Sequence, residues 1–487
     1  MQAPASTPDP RRRRLLAAAL SAGVASQLPA CQRQEDRPGA GDIAALDRTP
    51  IAGVVQPAAT ASVAAALASW PGPVCIAGAR YSMGGQTRAP DALQLDLARM
   101  DRLLWLDGER LLVRVQAGMR WRQLQALLDP HELSVKVMQS YSNFSIGGSV
   151  SVNCHGRYVG AGAIASTVRA VQLVCADGRV LELSRQHEQA LFAAVLGGYG
   201  GLGVVTEVEL ELARNTPIAR RAERVALAEY PAWFGEHVLG RPEVVLHNAD
   251  LAPPAFDAPV AVTWSRSQAA LTDPRRLVPV DADYAREQNL IWAASELPGG
   301  DKVRDRYMTR ALLDAPRVVM RNLEASLDAA SLEPRTRRMS TYLLQEYFVP
   351  VEAFAGFATA MASILRRHHV NALNISIRHA PEDTTSLLRW APAEVFCFVL
   401  YYKQRSGGGV DAAAAHWTRT LVDAALDHGG RHYLPYRRHA TAAQFLRAYP
   451  EAAAFAAIKR RMDPGNRFRN LLWDSYLPRA WLSPASG

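Results

Sequence analysis

The spacing of apolar residues divides the 487-residue chain into stretches of different texture. From about residue 50 to 213, short elements follow one another closely. ATASVAAALASW reads as a helix with Thr60 or Ser62 available as its N-cap, PVCIAG as a short buried strand, and LQLDL as another. In RLLVRVQAGM, Leu112, Val113 and Val115 precede a Gly turn and mark a strand, and WRQLQALLDPHEL has the period of an amphipathic helix. STVRAVQLVCADGRVLELS predicts a hairpin turning at Asp177-Gly178. HEQALFAAVLGG then predicts a helix, and VVTEVELEL alternates as a half-buried strand does.

Between residues 214 and 440 the predicted strands lengthen: RRAERVAL, VAVTW, TYLLQEYFVP, ALNISIRHA and EVFCFVLYYK. Helices are expected at EAFAGFATAMASILRRHH and DAAAAHWTRTLVDAALDHGG. Together they predict an antiparallel sheet covered by helices, hence an α+β chain with a second domain. Residues 441–487 pair one helix, FLRAYPEAAAFAAIKRRM, with DPGNRFRNLLWDSYLP.

Composition changes this picture mainly at the N-terminus. Arg11 to Arg14, an apolar run from Leu15 to Ala25, and Leu28-Pro29-Ala30-Cys31 have the layout of an export signal over residues 1–31, with the adjacent arginines of the twin-arginine type. The expected location is therefore periplasmic or otherwise exported, with Cys31 a possible lipid anchor. Residues 32–49, polar and rich in Gly and Pro, read as a linker. The positive net charge of +9 is spread along the chain, which argues against nucleic-acid binding. No apolar run is long enough to span a bilayer. The five cysteines form no C-x-x-C and no zinc-type spacing, so no metal site is expected.

The candidate chemistry lies in Gly-rich segments. GYGGLG at Gly198–Gly203 has the spacing of a dinucleotide fingerprint, but a helix precedes it and a strand follows. That order is the reverse of a Rossmann site. GARYSMGGQ follows a strand and can gather several N–H groups around one anion. It is not a hydrolase elbow, because Arg80 stands where G-x-S-x-G around Ser82 needs Gly. SYSNFSIGGSVSVNCHGR, residues 140–157, ends in a Cys-His pair but otherwise reads as small residues that allow backbone to lie against a ligand.

In order, GARYSMGGQ, VRVQAGMRWRQL, SIGGSVSVNCHG and LGGYGGLGVVTEVEL resemble the FAD-binding domain of the PCMH-type (vanillyl-alcohol oxidase) flavoprotein superfamily. DPGNRFRNLLWDSYL resembles the segment with which its sugar-lactone oxidase branch returns to that domain. The resemblance implies a two-subdomain FAD-binding domain over 50–213, a substrate or cap domain over 214–440, and a returning segment over 441–487. It implies FAD extended between the subdomains, its pyrophosphate held by the backbone of Gly78, Ala79, Arg80, Tyr81 and Ser82. Ser140, Ser145, Ile146, Gly147, Gly148, Val152, Asn153, Cys154 and His155 would run along the flavin and the ADP half. Val204 or Val205 would meet the adenosine end. Tyr81 stands where many members attach the flavin through a His, so non-covalent FAD is expected.

In the second half, LQEYFVPVEAF and GGRHYLPYRRHAT resemble the decaprenylphosphoryl-ribose oxidase, and NISIRHAPED the alditol oxidases. The implied function is an FAD-dependent oxidoreductase taking a hydride from a C–OH group of a sugar, polyol, aldonolactone or related alcohol to flavin N5. Oxygen or a respiratory acceptor would reoxidise it. Tyr433 would touch the flavin, Arg378 would stabilise its reduced form, and Tyr436 or His379 would take the hydroxyl proton. Arg157 and Cys397 are the expected substrate contacts. Two departures stand out: Tyr436 replaces an active-site Lys, and Ser376 stands where the alditol oxidases carry Glu. They keep open an alternative, a non-catalytic flavin- or ligand-binding protein of the envelope.

Overall fold

Three sheets organise the chain in a computed structural model that describes residues 41–314, 316–407 and 409–482. The signal-like segment, Cys31 and most of the linker lie outside the described residues. β1 (Gly53–Val55), β2 (Val74–Ala77) and β3 (Leu93–Asp96) form a small parallel sheet in the order β1-β3-β2. β4 (Leu103–Asp107), β5 (Leu112–Gln116), β6 (Leu133–Val135), β7 (Val168–Val174), β8 (Val180–Ser184) and β9 (Val204–Arg214) form an antiparallel sheet. Its order is β4-β5-β9-β7-β8, with β6 beside the end of β9.

β9 alternates buried and half-buried residues along its length, as VVTEVELEL predicts, and Gly178 takes a positive φ of 84° in the β7–β8 hairpin. The helix Thr60–Ser69 begins one residue after Ala59, and the Thr60 hydroxyl bonds Gln172 Oε1 at 2.7 Å rather than capping.

The third sheet is antiparallel and eight-stranded, and all its strands lie between residues 217 and 432. β10 (Pro217–Arg224), β11 (Val244–Leu251), β12 (Val260–Arg266), β13 (Arg317–Met320), β14 (Ser340–Pro350), β15 (Ala372–Ala380), β16 (Val395–Arg405) and β17 (Arg431–His432) run in the order β13-β10-β12-β11-β15-β16-β14-β17. Period-two geometry sends alternate side chains to opposite faces. One face carries Phe396, Phe398 and Tyr402 against the helices Phe354–Arg367 and Val410–Asp427. Ring centroids there lie 4.9 Å apart for Phe354–Phe396, 5.1 Å for Phe357–Phe398 and 5.1 Å for Tyr402–Trp417. The other face is turned toward the first two sheets. β16 is thus buried on both faces, which is why its sequence shows no alternation.

The predicted C-terminal helix is two helices, Ala442–Ala448 and Ala452–Met462. Pro450 breaks it: proline has no N–H to donate, and it drives Tyr449 out of the helical region, to φ −127° and ψ 74°.

Candidate active site and cofactor cavity

A cavity separates the first two sheets from the third, and its two walls are built differently. The first wall is backbone. The loop after β2 (Gly78 to Thr87), the short helix Ile146–Ser151 with its flanks, and the turn Gly198–Gly203 all border it. Close approach fixes the residue types. A Cβ on Gly78 would lie 2.1 Å from Ser145 Oγ, and one on Gly147 would lie 2.7 Å from Ala117 Cβ. The Ala79 N–H donates to Ser145 Oγ at 3.2 Å, joining loop to helix. Arg80 takes a positive φ of 59°, and its guanidinium turns away from the cavity to Gln94 Oε1 (3.1 Å) and Asp96 Oδ2 (2.9 Å). Only its backbone faces inward.

The C-terminal segment braces the glycine turn. Buried Lys459 donates to the Gly201 and Phe468 carbonyls at 2.9 and 2.8 Å and pairs with Asp463 at 2.9 Å. Asn470 and Trp473 donate to the Tyr199 and Gly198 carbonyls at 2.7 and 3.1 Å. Arg467 donates to the Ala176, Leu67 and Trp70 carbonyls. Removing water from Lys459 pulls its pKa below the ordinary lysine value, and Asp463 works against that pull.

The second wall is made of side chains from the third sheet and the segment after β17. Register sets Glu346 of β14 opposite Val399, and Cys397 of β16 between Phe348 and Arg378. Glu346 (3% exposed) lies 2.6 Å through Oε1 from His155 Nε2 (4% exposed) and accepts from the Tyr436 hydroxyl through Oε2 at 3.4 Å. The His155 contact is an ion pair and not an aligned hydrogen bond; among the described residues Glu346 Oε1 accepts no hydrogen bond and Arg378 Nε makes none. The Tyr433 hydroxyl donates to the Val152 carbonyl at 2.8 Å and ties this wall to the first.

Burial pushes Tyr433 and Tyr436 well above the ordinary phenol value, and neighbouring carboxylate charge adds to the shift. Burial also pushes Cys154 up to about 12 and Cys397 well above its usual value, so both thiols stay protonated at neutral pH. His155 Nε2, a Glu346 oxygen and Cys397 Sγ lie within 4.8 Å of one another.

Of the residues singled out by sequence, Gly78, Ala79, Arg80, Tyr81, Ser82, Ser145, Gly147, Gly148, Val152, Cys154, His155, Val205, Tyr433, Tyr436 and Arg378 border the cavity. Tyr81 stacks on Phe144 at 4.3 Å. Others do not border it. Ile146 and Val204 are core residues, and Ser140 lies just outside the lining. Asn153, at a positive φ of 49°, is spent on Asp383 (2.8 Å), Ser386 (3.1 Å) and the Ala165 amide (3.2 Å). Cys397 is fully buried behind the lining.

Arg157 is paired with Glu324 at 2.8 Å and is not a free cation. His379 is a correction. One residue from Arg378, it points to the opposite sheet face, where it packs 4.7 Å from Phe234 and reaches Glu394 at 2.7 Å. It has no access to the cavity. Glu346 was missed, although a lone carboxylate inside the apolar run TYLLQEYFVP was a visible signal.

Part of the backbone wall, the loop after β2 and the helix Ile146–Ser151, lies in a region that matches a known family. Residues 51–184 match the family model described as an FAD binding domain. These residues form an FAD-binding domain of the PCMH type. The chain is similar to L-gulono-1,4-lactone dehydrogenase of Mycobacterium tuberculosis, at 24% identity over 78% of this chain and 85% of the relative. It is similar to decaprenylphosphoryl-beta-D-ribose oxidase of Mycolicibacterium smegmatis, at 25% identity over 80% of this chain and 85% of the relative. A shorter match, 37% identical over 24% of this chain and 20% of the relative, is to mitochondrial L-galactono-1,4-lactone dehydrogenase of Brassica oleracea.

The FAD-binding domain fits its cofactor on geometry too. Backbone laid bare at Gly78, Gly147 and Gly148 in one place and Gly198–Gly203 in another suits a long dinucleotide held at separate points.

Proposed function

We propose that the protein is an FAD-dependent oxidoreductase that oxidises a C–OH group of a sugar, polyol, aldonolactone or related alcohol. One observation carries the reading: Glu346, a buried carboxylate paired with His155 at 2.6 Å, stands in the cavity wall opposite the FAD-binding backbone. The dehydrogenase and oxidase relatives support the reaction class.

Bound FAD would supply the two-electron acceptor. The protein's part is positioning and proton transfer. Glu346 Oε1 accepts the hydroxyl proton of the alcohol, and His155 and Tyr436 hold its carboxylate in place. Tyr436, far above its usual pKa, is a donor and not the base. Arg378 places positive charge in the same wall, where it favours an alkoxide over an alcohol. The aromatic group of Trp390, Phe348 and Tyr433 packs around His155 and keeps water from that side. The loop offers Tyr81, stacked on Phe144, and His155 is paired with Glu346, so these residues would hold FAD without a covalent bond. Cys154, in the cavity wall, would narrow the approach of oxygen to bound flavin and so favour another acceptor. The arginine-led N-terminus directs the protein for export.

Purified protein is expected to be yellow, to lose its flavin to the supernatant on acid precipitation, and to bleach anaerobically with at least one polyol or aldonolactone. A yellow protein that no alcohol bleaches is a flavin-binding module, and the enzymatic reading falls.

A further inference from the structure

The sheet face that carries Arg378 continues across β15 onto β11 with a row of polar side chains. Asp250 pairs directly with Ser376, so Asn248 and Asp250 of β11 share a face with Asn374, Ser376 and Arg378 of β15. The intervening residues Ala249, Leu251, Ile375 and Ile377 are essentially fully buried on the other face. Burying polar groups in a sheet is costly unless something answers them.

Here they are only partly answered. Asp250 Oδ1 accepts from Asn374 Nδ2 at 3.0 Å and Asn248 Nδ2 at 3.3 Å. Among the described residues no hydrogen bond engages Asp250 Oδ2 or the Ser376 hydroxyl, and Arg378 Nε is buried without a partner. Asp250 lies deep enough that loss of water raises its pKa, yet Asp250, Asn374, Ser376 and Arg378 all keep accessible surface. Arg378, at the end of this row, borders the FAD cavity, so the row continues outward from the cavity wall along one sheet face.

We infer that this row, leading out of the cavity wall, is the substrate-binding face, that it takes a neutral polyhydroxylated chain or ring, and that Asp250 is the residue that reads its hydroxyls. The inference rests on the oxidoreductase reading for what happens next, but not for binding. Charge decides against an anionic substrate end. Arg157 is paired with Glu324 at 2.8 Å, and the row itself carries one cation, Arg378, and one carboxylate, Asp250. What remains is a mixed set of acceptors and donors, which suits hydroxyl groups that both give and take hydrogen bonds.

Calorimetry on the full, flavin-loaded protein reduced with dithionite separates binding from turnover. The probes are xylitol, sorbitol, L-gulono-1,4-lactone and ribitol 5-phosphate. At least one neutral probe is expected to bind, and Asp250→Ala to weaken it roughly 10- to 100-fold, the loss of hydrogen bonds to a charged group. Asp250→Asn, which keeps size and fold, should weaken it less. Ser376→Ala should weaken it by a few-fold at most. Flavin content should stay unchanged in all three. A probe that binds here but does not bleach the oxidised protein anaerobically would sink the enzymatic reading and leave the binding face standing. No neutral probe binding, affinity indifferent to Asp250, or tighter binding of ribitol 5-phosphate than of the neutral probes would overturn the binding face.

Discussion

The backbone wall of the cavity and the side-chain wall opposite it use the chain in different ways. On the FAD side, specificity comes from what is missing: side chains at Gly78, Gly147 and Gly201 would collide with Ser145, Ala117 and Trp473. On the sheet side it comes from what is present: Glu346, Arg378 and Tyr436 on strands and a following segment held rigid by the helices behind. A cofactor common to many reactions can be gripped by features every peptide owns. A particular alcohol needs particular functional groups. The first wall should therefore fail by losing flavin, and the second by losing chemistry with flavin in place.

Glu346→Gln tests the second half of that statement and carries the largest expected effect. The amide keeps the shape and can still meet Tyr436, but it cannot take a proton. We expect kcat to fall about 10²- to 10⁴-fold, the usual worth of a positioned general base. Flavin content and the visible spectrum should match the parent. An active Glu346→Gln variant would return the base role to another group. Loss of flavin in that variant would erase the contrast between the walls.

Gly147→Val tests the first half. The new side chain would start 2.7 Å from Ala117 Cβ and 2.9 Å from its carbonyl oxygen, so backbone must move. Overpacking of this kind costs about 1–3 kcal/mol, or roughly 10- to 100-fold in FAD affinity if the strain falls on the cradle. The ratio of flavin to protein absorbance after gel filtration should drop. Any residual flavin-loaded fraction should turn over normally, since Glu346 is untouched. A fully loaded Gly147→Val protein would show that the cradle does not hold the cofactor closely.

The contrast also explains what could be read from the sequence. Absent side chains are legible as glycine, and several glycine-rich segments in order marked the first wall without any tertiary information. The strand β9 and the hairpin at Asp177-Gly178 were legible for a similar reason, because alternation and turn chemistry are local. The second wall depends on register. That Arg378 faces the cavity while His379 faces Phe234 is a matter of one residue, and period two reverses the answer at each step. The row across β11 and β15 was hidden further, since Asp250 and Ser376 are 126 positions apart and meet only through strand pairing. Glu346 sat in plain view in an apolar run, and its significance depended on His155 arriving from the other wall.

Acid provides the finest distinction between the two halves. His247 lies in β11 of the third sheet, with its ring nitrogens 2.9 Å from the Tyr230 and Thr263 hydroxyl oxygens, and burial pushes its pKa down to about 3. Burial lowers His432, at the edge of the same sheet, to about 4. Both are near 6.5 when the chain is unfolded, so the unfolded state binds these protons first. Their contribution to stability is complete above pH 6.5 and is lost as pH falls toward 4 and then 3. The slope is up to about 1.4 kcal/mol per pH unit for each histidine. Asp42, raised to about 6 by burial and by Asp47, runs the opposite way: its contribution is complete below about 3.8 and is lost as pH rises through 6. It offsets part of the histidine slope between pH 4 and 6. Urea midpoints should therefore fall from pH 7 to pH 5, and His247→Gln should remove part of that fall. Hydrogen exchange, corrected for its intrinsic pH dependence, should show β11 and β12 losing protection before β7 and β9. Equal loss in both sheets would mean that the two halves unfold as one unit, and that the difference between the walls is chemical but not energetic.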